Sequence, residues 1–326
     1  GSTKIIISGG VKSEFQGYVE NICHRSKVMV NLGYADRNMH LRDEGIRVNR
    51  GMQKKTFKQK GLEYAGELGE KNLRDLEKIV KWNNENDISF YRITSEFLPW
   101  HNKYEFEELP NHKRIKEILG RIGSLARKNN QRLTFHPGHF VKLASPTESV
   151  ARKAIDELNF HGKILDIMCA EKTSYNSINI HIGAHYKDKD ETAERFCQNY
   201  RKLSKPVQER LTVENDDKES LWSISELVES IHDEIGIPVV YDRLHHRFSG
   251  RGLSHEDALK KSVATWEEKP IMHYSESREE HGDRDSRPQS HSDKIKGPVK
   301  TFGEEVDVMI EAKNKEKALL GYRESR

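Results

Sequence analysis

Residues 210–246, RLTVENDDKESLWSISELVESIHDEIGIPVVYDRLHH, decide the fold. A short apolar run, Leu211–Val213, ends on Glu214 and a polar loop. SISELVESIHDEIG (223–236) follows with helical spacing, and PVVYD (238–242) is a second apolar run that ends on Asp242. Strand, helix and strand within about 30 residues make the βαβ unit of a parallel sheet. The unit repeats in both directions. Upstream, EKNLRDLEKIVKWNNEND (70–87) carries Leu73, Leu76, Ile79 and Val80 as one helical stripe and precedes ISFYRITSEF (88–97). NHKRIKEILGRIGSLARKNN (111–130) precedes RLTFHP, TESVARKAIDELNFHGKILDIMCAEK (147–172) precedes SINIHIG, and DETAERFCQNYRKL (190–203) precedes RLTVEND. Downstream, SHEDALKKSVATW (254–266) leads to PIMHYS. A polar stretch over about residues 276–304 then separates it from VDVMIEAK (306–313) and a last short helix. With KVMVNLGYA (27–35) in front and a basic connection, LRDEGIRVNRGMQKKTFKQKG (41–61), after it, the pattern counts eight strands. It predicts an α/β fold, a single (β/α)8 TIM barrel over residues 28–326. Residues 1–27 read as an irregular N-terminal arm, with Gly1-Ser2 a tag remnant.

Composition fits that reading. Of 326 residues, 34% are hydrophobic and 33% charged, and no run approaches the roughly 20 apolar residues of a membrane helix. A net charge of +3 from 55 basic and 52 acidic residues excludes a polybasic tail but allows a local basic groove. Cys23, Cys169 and Cys197 share no pairing pattern, so reduced thiols and an intracellular setting, cytoplasmic or nuclear, are expected.

The strand ends carry the chemistry. RLTFHPG, SINIHIG, RLTVEND, PVVYDRLHH, PIMHYS and VDVMIEAK deliver His136, His181, Glu214, Asp242, His245, His273 and Glu311. In a barrel of this kind the C-terminal strand ends share one mouth. A single strand-end His is more often a hydrogen-bonded rim residue, and His24, His40, His112, His161 and His232 are read that way. The group is different, because several ionisable side chains in one mouth are costly unless cations offset them. Three carboxylates and four imidazoles exceed what one ion needs, so two or three divalent ions are expected, with a carboxylate such as Glu214 bridging. Such clusters acidify a water and hold the oxygens of a phosphodiester. Nitrogen and oxygen donors without Cys suit manganese or zinc.

Two further signals border the mouth. HPGHFVKLASP (136–146) has a Pro-Gly turn that projects His139 and Phe140, where an aromatic tip can stack on a base or simply cover the barrel top. Arg42, Arg47, Arg50, Lys54, Lys55, Lys58 and Lys60 in one connection, and Lys294, Lys296 and Lys300 in another, form a phosphate-tracking groove if both face the mouth.

Taken together, LGYA…RNMHLR, FYRITSEFLPW, FHPGHFV, NIHIGAHYKDK, LTVENDD, PVVYDRLHH, IMHYSES and VDVMIEAKNKEKALL resemble the ultraviolet damage endonuclease family over about Val28 to Leu320. The resemblance implies a barrel related to apurinic endonuclease IV and the xylose isomerases. It implies two or three divalent ions, manganese ahead of zinc, cobalt or magnesium. The substrate it implies is damaged double-stranded DNA, nicked by a monomer 5′ to ultraviolet photoproducts or abasic sites to leave a 3′-hydroxyl and a 5′-phosphate. The ligands it implies are His136, His181, Glu214, Asp242, His245, His273, His291 and Glu311, with His281 competing with His291. Glu214 and Glu311 would be catalytic and bridge two ions, His136 and His181 would serve one, Asp242 and His273 the second, and His245 with His291 a third. Tyr34 and Asn38 would lie near the lesion strand, and His139 and Phe140 stand where the family carries a Gln-Tyr probing pair. Ile271 replaces a lysine that some members place near the metals, which bears on the third ion. A sugar isomerase-type barrel and a non-cleaving damage-binding module stay open as alternatives.

Overall fold

A computed structural model describes residues 30–326; the predicted arm, residues 1–27, lies outside the described residues. Eight strands close into a parallel barrel in chain order: β1 (Asn31–Ala35), β2 (Phe90–Ile93), β3 (Arg132–Phe135), β4 (Ile178–Ile180), β5 (Leu211–Glu214), β6 (Val239–Asp242), β7 (Ile271–Tyr274) and β8 (Asp307–Ile310). Every strand that the sequence pattern predicts is present. Barrel strands are covered inside by packed side chains and outside by helices, which is why they read as almost unbroken apolar runs.

Besides a single α-helical turn at Lys205–Gln208, the helices outside are α1 (Met39–Asp43), α2 (Lys54–Glu85), α3 (His112–Lys128), α4 (Glu148–Ile167), α5 (Lys189–Tyr200), α6 (Ile224–Leu227, running on through π-helical Val228–His232 to Asp233–Ile235), α7 (Arg243–Ser249), α8 (His255–Val263) and α9 (Lys315–Glu324). Among the described residues, no helix is long and apolar enough to cross a membrane. α2 differs from expectation. The basic segment from Lys54 to Lys60 is helical, and only Gly61, at φ 62° and ψ −155°, interrupts the helix there. A left-handed φ is cheap for glycine alone, so one residue turns what reads as a loop into two helical pieces.

Inside the barrel the side chains stack in layers, because alternate residues of a strand share a face. At the strand N-termini Arg132 bonds Asp307, Nη1 to Oδ2 at 2.9 Å, with both residues buried. Above them Ala35, Phe90, Val240, Ile271 and Met309, from five strands, pack as one apolar cluster. Ile271, where the resemblance looks for a lysine, is therefore barrel core. Gly33 stands beside Phe90 in the β1–β2 register. A Cβ there would lie 2.5 Å from the Phe90 carbonyl oxygen, so only glycine lets β1 close against β2. The polar layer at the strand C-termini lies above this cluster.

Candidate metal centre

Each strand from β2 to β8 contributes to that upper layer. Arg92 follows Phe90 on the same face of β2, and His136 and His181 stand one residue beyond β3 and β4. Glu214 ends β5, Asp242 ends β6, His273 follows Ile271 on β7, and Glu311 stands one residue beyond β8. β1 ends on Ala35 and offers no donor. His245 is not a strand-end residue: it sits in the first turn of α7, and Asp242 Oδ1 accepts its backbone N–H at 2.7 Å. Asp242 thus ends a strand and caps a helix at once, which explains why α7 starts without a loop.

Glu214 is the centre. It is 1% exposed, and its Oε2 lies 3.1 Å from His136 Nε2, 3.0 Å from His273 Nδ1 and 3.8 Å from His181 Nε2. Its Oε1 lies 3.3 Å from His245 Nδ1. Asn179 Nδ2 donates to Glu214 Oε2 at 2.5 Å, and the Thr212 hydroxyl donates to Asn179 Oδ1 at 2.9 Å, so the carboxylate is fixed from β4 and β5. Asn215 joins the next two strand ends by bonding both the backbone N–H and the carbonyl of Asp242. Donor atoms converge within 4.8 Å in three overlapping groups: His136, Glu214 and His273; His181, Glu214 and His245; Asp242, His273 and Glu311. The resemblance pairs these residues differently, for it sets His136 with His181 and His245 with His291. Glu214 belongs to two groups, as a bridging ligand would, whereas Glu311 belongs to one.

One oxygen of Glu311 is already engaged. Arg92 pairs with Glu311 through Nη1 and Oε1, and both side chains are largely buried. No sequence motif singles out Arg92, because an arginine in a strand usually points to solvent. Its partner lies 219 residues away, and only barrel closure brings the two together. His291 enters from the long loop: its Nδ1 lies 2.8 Å from the Glu311 carbonyl and 3.8 Å from the Glu311 carboxylate, and its ring is 6.4 Å from that of His245. His281, the competing histidine, turns away and bonds Glu276 at 2.5 Å. Buried Glu276 also accepts from the backbone N–H of Lys296 and Gly297 and from the Tyr274 hydroxyl, and Ser292 N–H bonds its carbonyl. One buried carboxylate therefore orders the polar stretch that separates β7 from β8, a role no local sequence signal announces.

Electrostatics follow from burial and crowding. Burial pushes the Glu214 carboxyl up, but His273, His181, the hydrogen bond of His136 and the nearby His245 outweigh it and hold it well below the usual carboxylate range. Burial likewise opposes ionisation of Glu311, and Arg92 and His273 more than offset it, so it too is held low. Asp242 is pushed up, by burial and then by the charges of Glu214 and Glu311. Asp242 Oδ2, Glu214 Oε1 and His273 Nδ1 are buried and make no hydrogen bond. Buried polar atoms without partners cost about 1–3 kcal/mol each, and divalent cations held in the donor groups these residues belong to would satisfy them. The residues present fit such an ion.

The remaining predicted residues divide sharply. Tyr34 is fully buried, donating its hydroxyl to Asn83 Oδ1 at 2.7 Å and accepting from Asn38 Nδ2 at 2.9 Å. Asn38, 1% exposed, caps α1 at Leu41 N–H. Both brace the connection after β1, and neither stands free at the rim. His139 and Phe140 do stand free: Phe140 is 59% exposed, the largest exposed hydrophobic side chain among the described residues. Its turn closes through Val141 N–H to the Gly138 carbonyl at 3.0 Å, and a Cβ on Gly138 would strike the Phe140 ring.

Known proteins share both the sequence and the barrel. Residues 30–324 match the family model described as UV-endonuclease UvdE. The UV-damage endonuclease of Schizosaccharomyces pombe is 36% identical over 306 residues, 89% of this chain and 49% of that relative, so the chain spans about half its length. The crystal structure of SacUVDE superposes with a TM-score of 0.79 at 31% identity, covering 91% of this chain and 99% of that one. Endonuclease IV of Thermus thermophilus covers 76% of this chain and 91% of its own at a TM-score of 0.51 and 14% identity, a likeness of fold alone.

Proposed function

The chain belongs to the UV-endonuclease UvdE family, and from that premise we propose that it is a metal-dependent DNA repair endonuclease. It nicks damaged duplex DNA immediately 5′ to ultraviolet photoproducts, and abasic sites too, leaving a 3′-hydroxyl and a 5′-phosphate. The observation that carries the reading is the convergence of His136, His181, His245 and His273 on one buried carboxylate, Glu214, in the mouth of the barrel. His136, His181, Glu214, Asp242, His245, His273 and Glu311 would hold two divalent ions, manganese first. His291 lies at the edge for a third, for which Ile271 supplies no polar group. When bound, such ions supply the concentrated charge that acidifies water and stabilises the oxyanions of phosphodiester hydrolysis.

The chain's own residues prepare that chemistry. Asn179 holds the Glu214 carboxylate in one orientation, and Asn215 fixes the β6 end so that Asp242 keeps its place. Arg92 holds the Glu311 oxygen that also faces His273 at 3.5 Å and leaves the other oxygen toward His291 at 3.8 Å. Phe140, on its glycine-relieved turn, is free to enter a base stack opened by damage.

A duplex with a single photoproduct tests the reading. With Mn²⁺ the expected result is one nick 5′ to the lesion, lost in chelator and restored by excess Mn²⁺. Nicking that persists in chelator would refute metal dependence, and lesion binding without nicking would convert the protein into a damage-binding module. Phe140→Ala should lower cleavage of that duplex by about tenfold or more, since stacking one base on an aromatic ring is worth roughly 1–3 kcal/mol. Phe140→Trp should restore it. Unchanged cleavage by the alanine variant would leave Phe140 as mere rim cover.

A further inference from the structure

We infer that a concavity of about 390 Å³ lined by Arg37, Arg42, Arg47 and Arg50, beside α1, is a binding site for a backbone phosphate of duplex DNA, separate from the donor cluster. The inference rests on the proposed action on DNA. The lining contains no carboxylate. Among the described residues no acidic group lies within ion-pair distance of Arg37, Arg42 or Arg47, and all three are exposed; Arg50 alone is paired, with Asp75 at 2.7 Å.

A run of exposed arginines is by itself an ordinary solvated surface. This run is held rigid by buried polar groups that bond its backbone. Asn72, fully buried on α2, accepts from Arg50 N–H at 2.9 Å and donates to the Arg50 carbonyl at 2.9 Å. Asp75, 7% exposed, accepts from Arg47 N–H at 3.0 Å as well as from the Arg50 guanidinium. Asn38, buried at the inner edge, fixes the start of α1. Like charges held together raise the free energy of the loop unless an anion offsets them. Guanidinium forks match phosphate oxygens in pairs.

Location selects the phosphate's source. Arg37 lies two residues beyond the end of β1, on the same barrel end as the donor cluster, and Asp36 N–H bonds the carbonyl of Arg92 at 2.9 Å. A strand of duplex crossing the mouth would reach this concavity a short way from the scissile bond. The remaining loop basics, on the first piece of α2, continue outward from it.

The test replaces Arg37, Arg42 and Arg47 together by Gln and keeps Arg50, whose pairing organises the loop. Binding of an undamaged duplex is measured between about 50 and 200 mM salt. Relative to wild type, the slope of log affinity against log salt should flatten by about 2 to 3, with affinity at the lower salt reduced at least tenfold. The control carries K128Q, K172Q and K202Q, which remove the same charge from exposed sites at the other barrel end. Equal slopes for the triple variant and the control would overturn the site. So would inorganic phosphate binding to wild type and not to the triple variant while duplex slopes agree, for the concavity would then serve free phosphate. A wild-type protein that binds no duplex at any salt would instead sink the DNA reading itself. Matching melting temperatures for wild type and both variants exclude unfolding as the cause of any difference.

Discussion

Glu214→Gln should reduce nicking of a photoproduct duplex by on the order of 10³-fold or more, while binding to the same duplex stays within a few-fold of wild type. The substitution keeps the shape of the side chain and removes its charge. Glutamine still accepts from one neighbour, so the buried site loses little packing. What it loses is the anion that four imidazoles surround and that two of the three donor groups share. Metal uptake followed by calorimetry should therefore fall with activity, in stoichiometry or by at least tenfold in affinity. That second readout separates a ligand from a residue that merely shapes the pocket. Retained nicking within tenfold of wild type would remove Glu214 from the mechanism, and with it the two-ion arrangement. Asn179→Ala offers an internal comparison. It leaves the charge and frees its orientation, so a smaller loss, roughly 10- to 100-fold, is expected from a residue that positions a ligand.

The strand-end signal was readable because chemistry and topology coincide there. Each apolar run had to end somewhere, and the residues at those ends are of metal-binding type, so the alternation of strand and helix was enough to bring Glu214, Asp242 and His273 into one mouth. Arg92 shows what the same signal misses. It occupies the right face of the right strand, yet its type suggests solvent, and its partner Glu311 becomes a neighbour only when β8 pairs with β1. Tyr34 shows a different limit of the sequence. A family position suggests contact with DNA, whereas the hydroxyl is consumed inside the wall by Asn83 and Asn38. The choice between His281 and His291 could not be made from spacing, since it depends on which histidine Glu276 captures. Loop order of this kind is set by one buried carboxylate and several backbone N–H groups, none of which has a sequence period.

The other end of the barrel should give the largest stability effect. Arg132→Met is expected to destabilise the protein by about 3–5 kcal/mol, because it breaks a buried ion pair from one side. Arg132 is fully buried at the start of β3. Its guanidinium reaches Asp307 on β8 at 2.9 Å, the Lys269 carbonyl before β7 at 2.9 Å, and the carbonyls of Ser174 and Tyr175 before β4. One side chain thus ties together segments that are distant in sequence and that meet only at the floor of the barrel, and it lies against the rings of Phe90, Tyr175 and Trp266. Methionine restores much of the apolar volume and none of the donors, so three carbonyls and a carboxylate are left short of partners. Asp307 keeps Lys269 at 2.7 Å and Asn31 at 3.1 Å, which limits the loss from its side. Pairing Arg132→Met with Asp307→Leu should then recover part of the deficit, since replacing both members of a buried pair costs less than stranding one. Urea denaturation of the single and double variants checks this, with a fall on the order of 10 °C in melting temperature for the single variant as a second measure. A single variant within about 1 kcal/mol of wild type would show that water reaches the barrel floor and solvates the stranded groups. Activity provides the last discrimination: the floor lies below the apolar layer of Phe90, Val240, Ile271 and Met309, so nicking by folded Arg132→Met should stay near wild type while its stability falls.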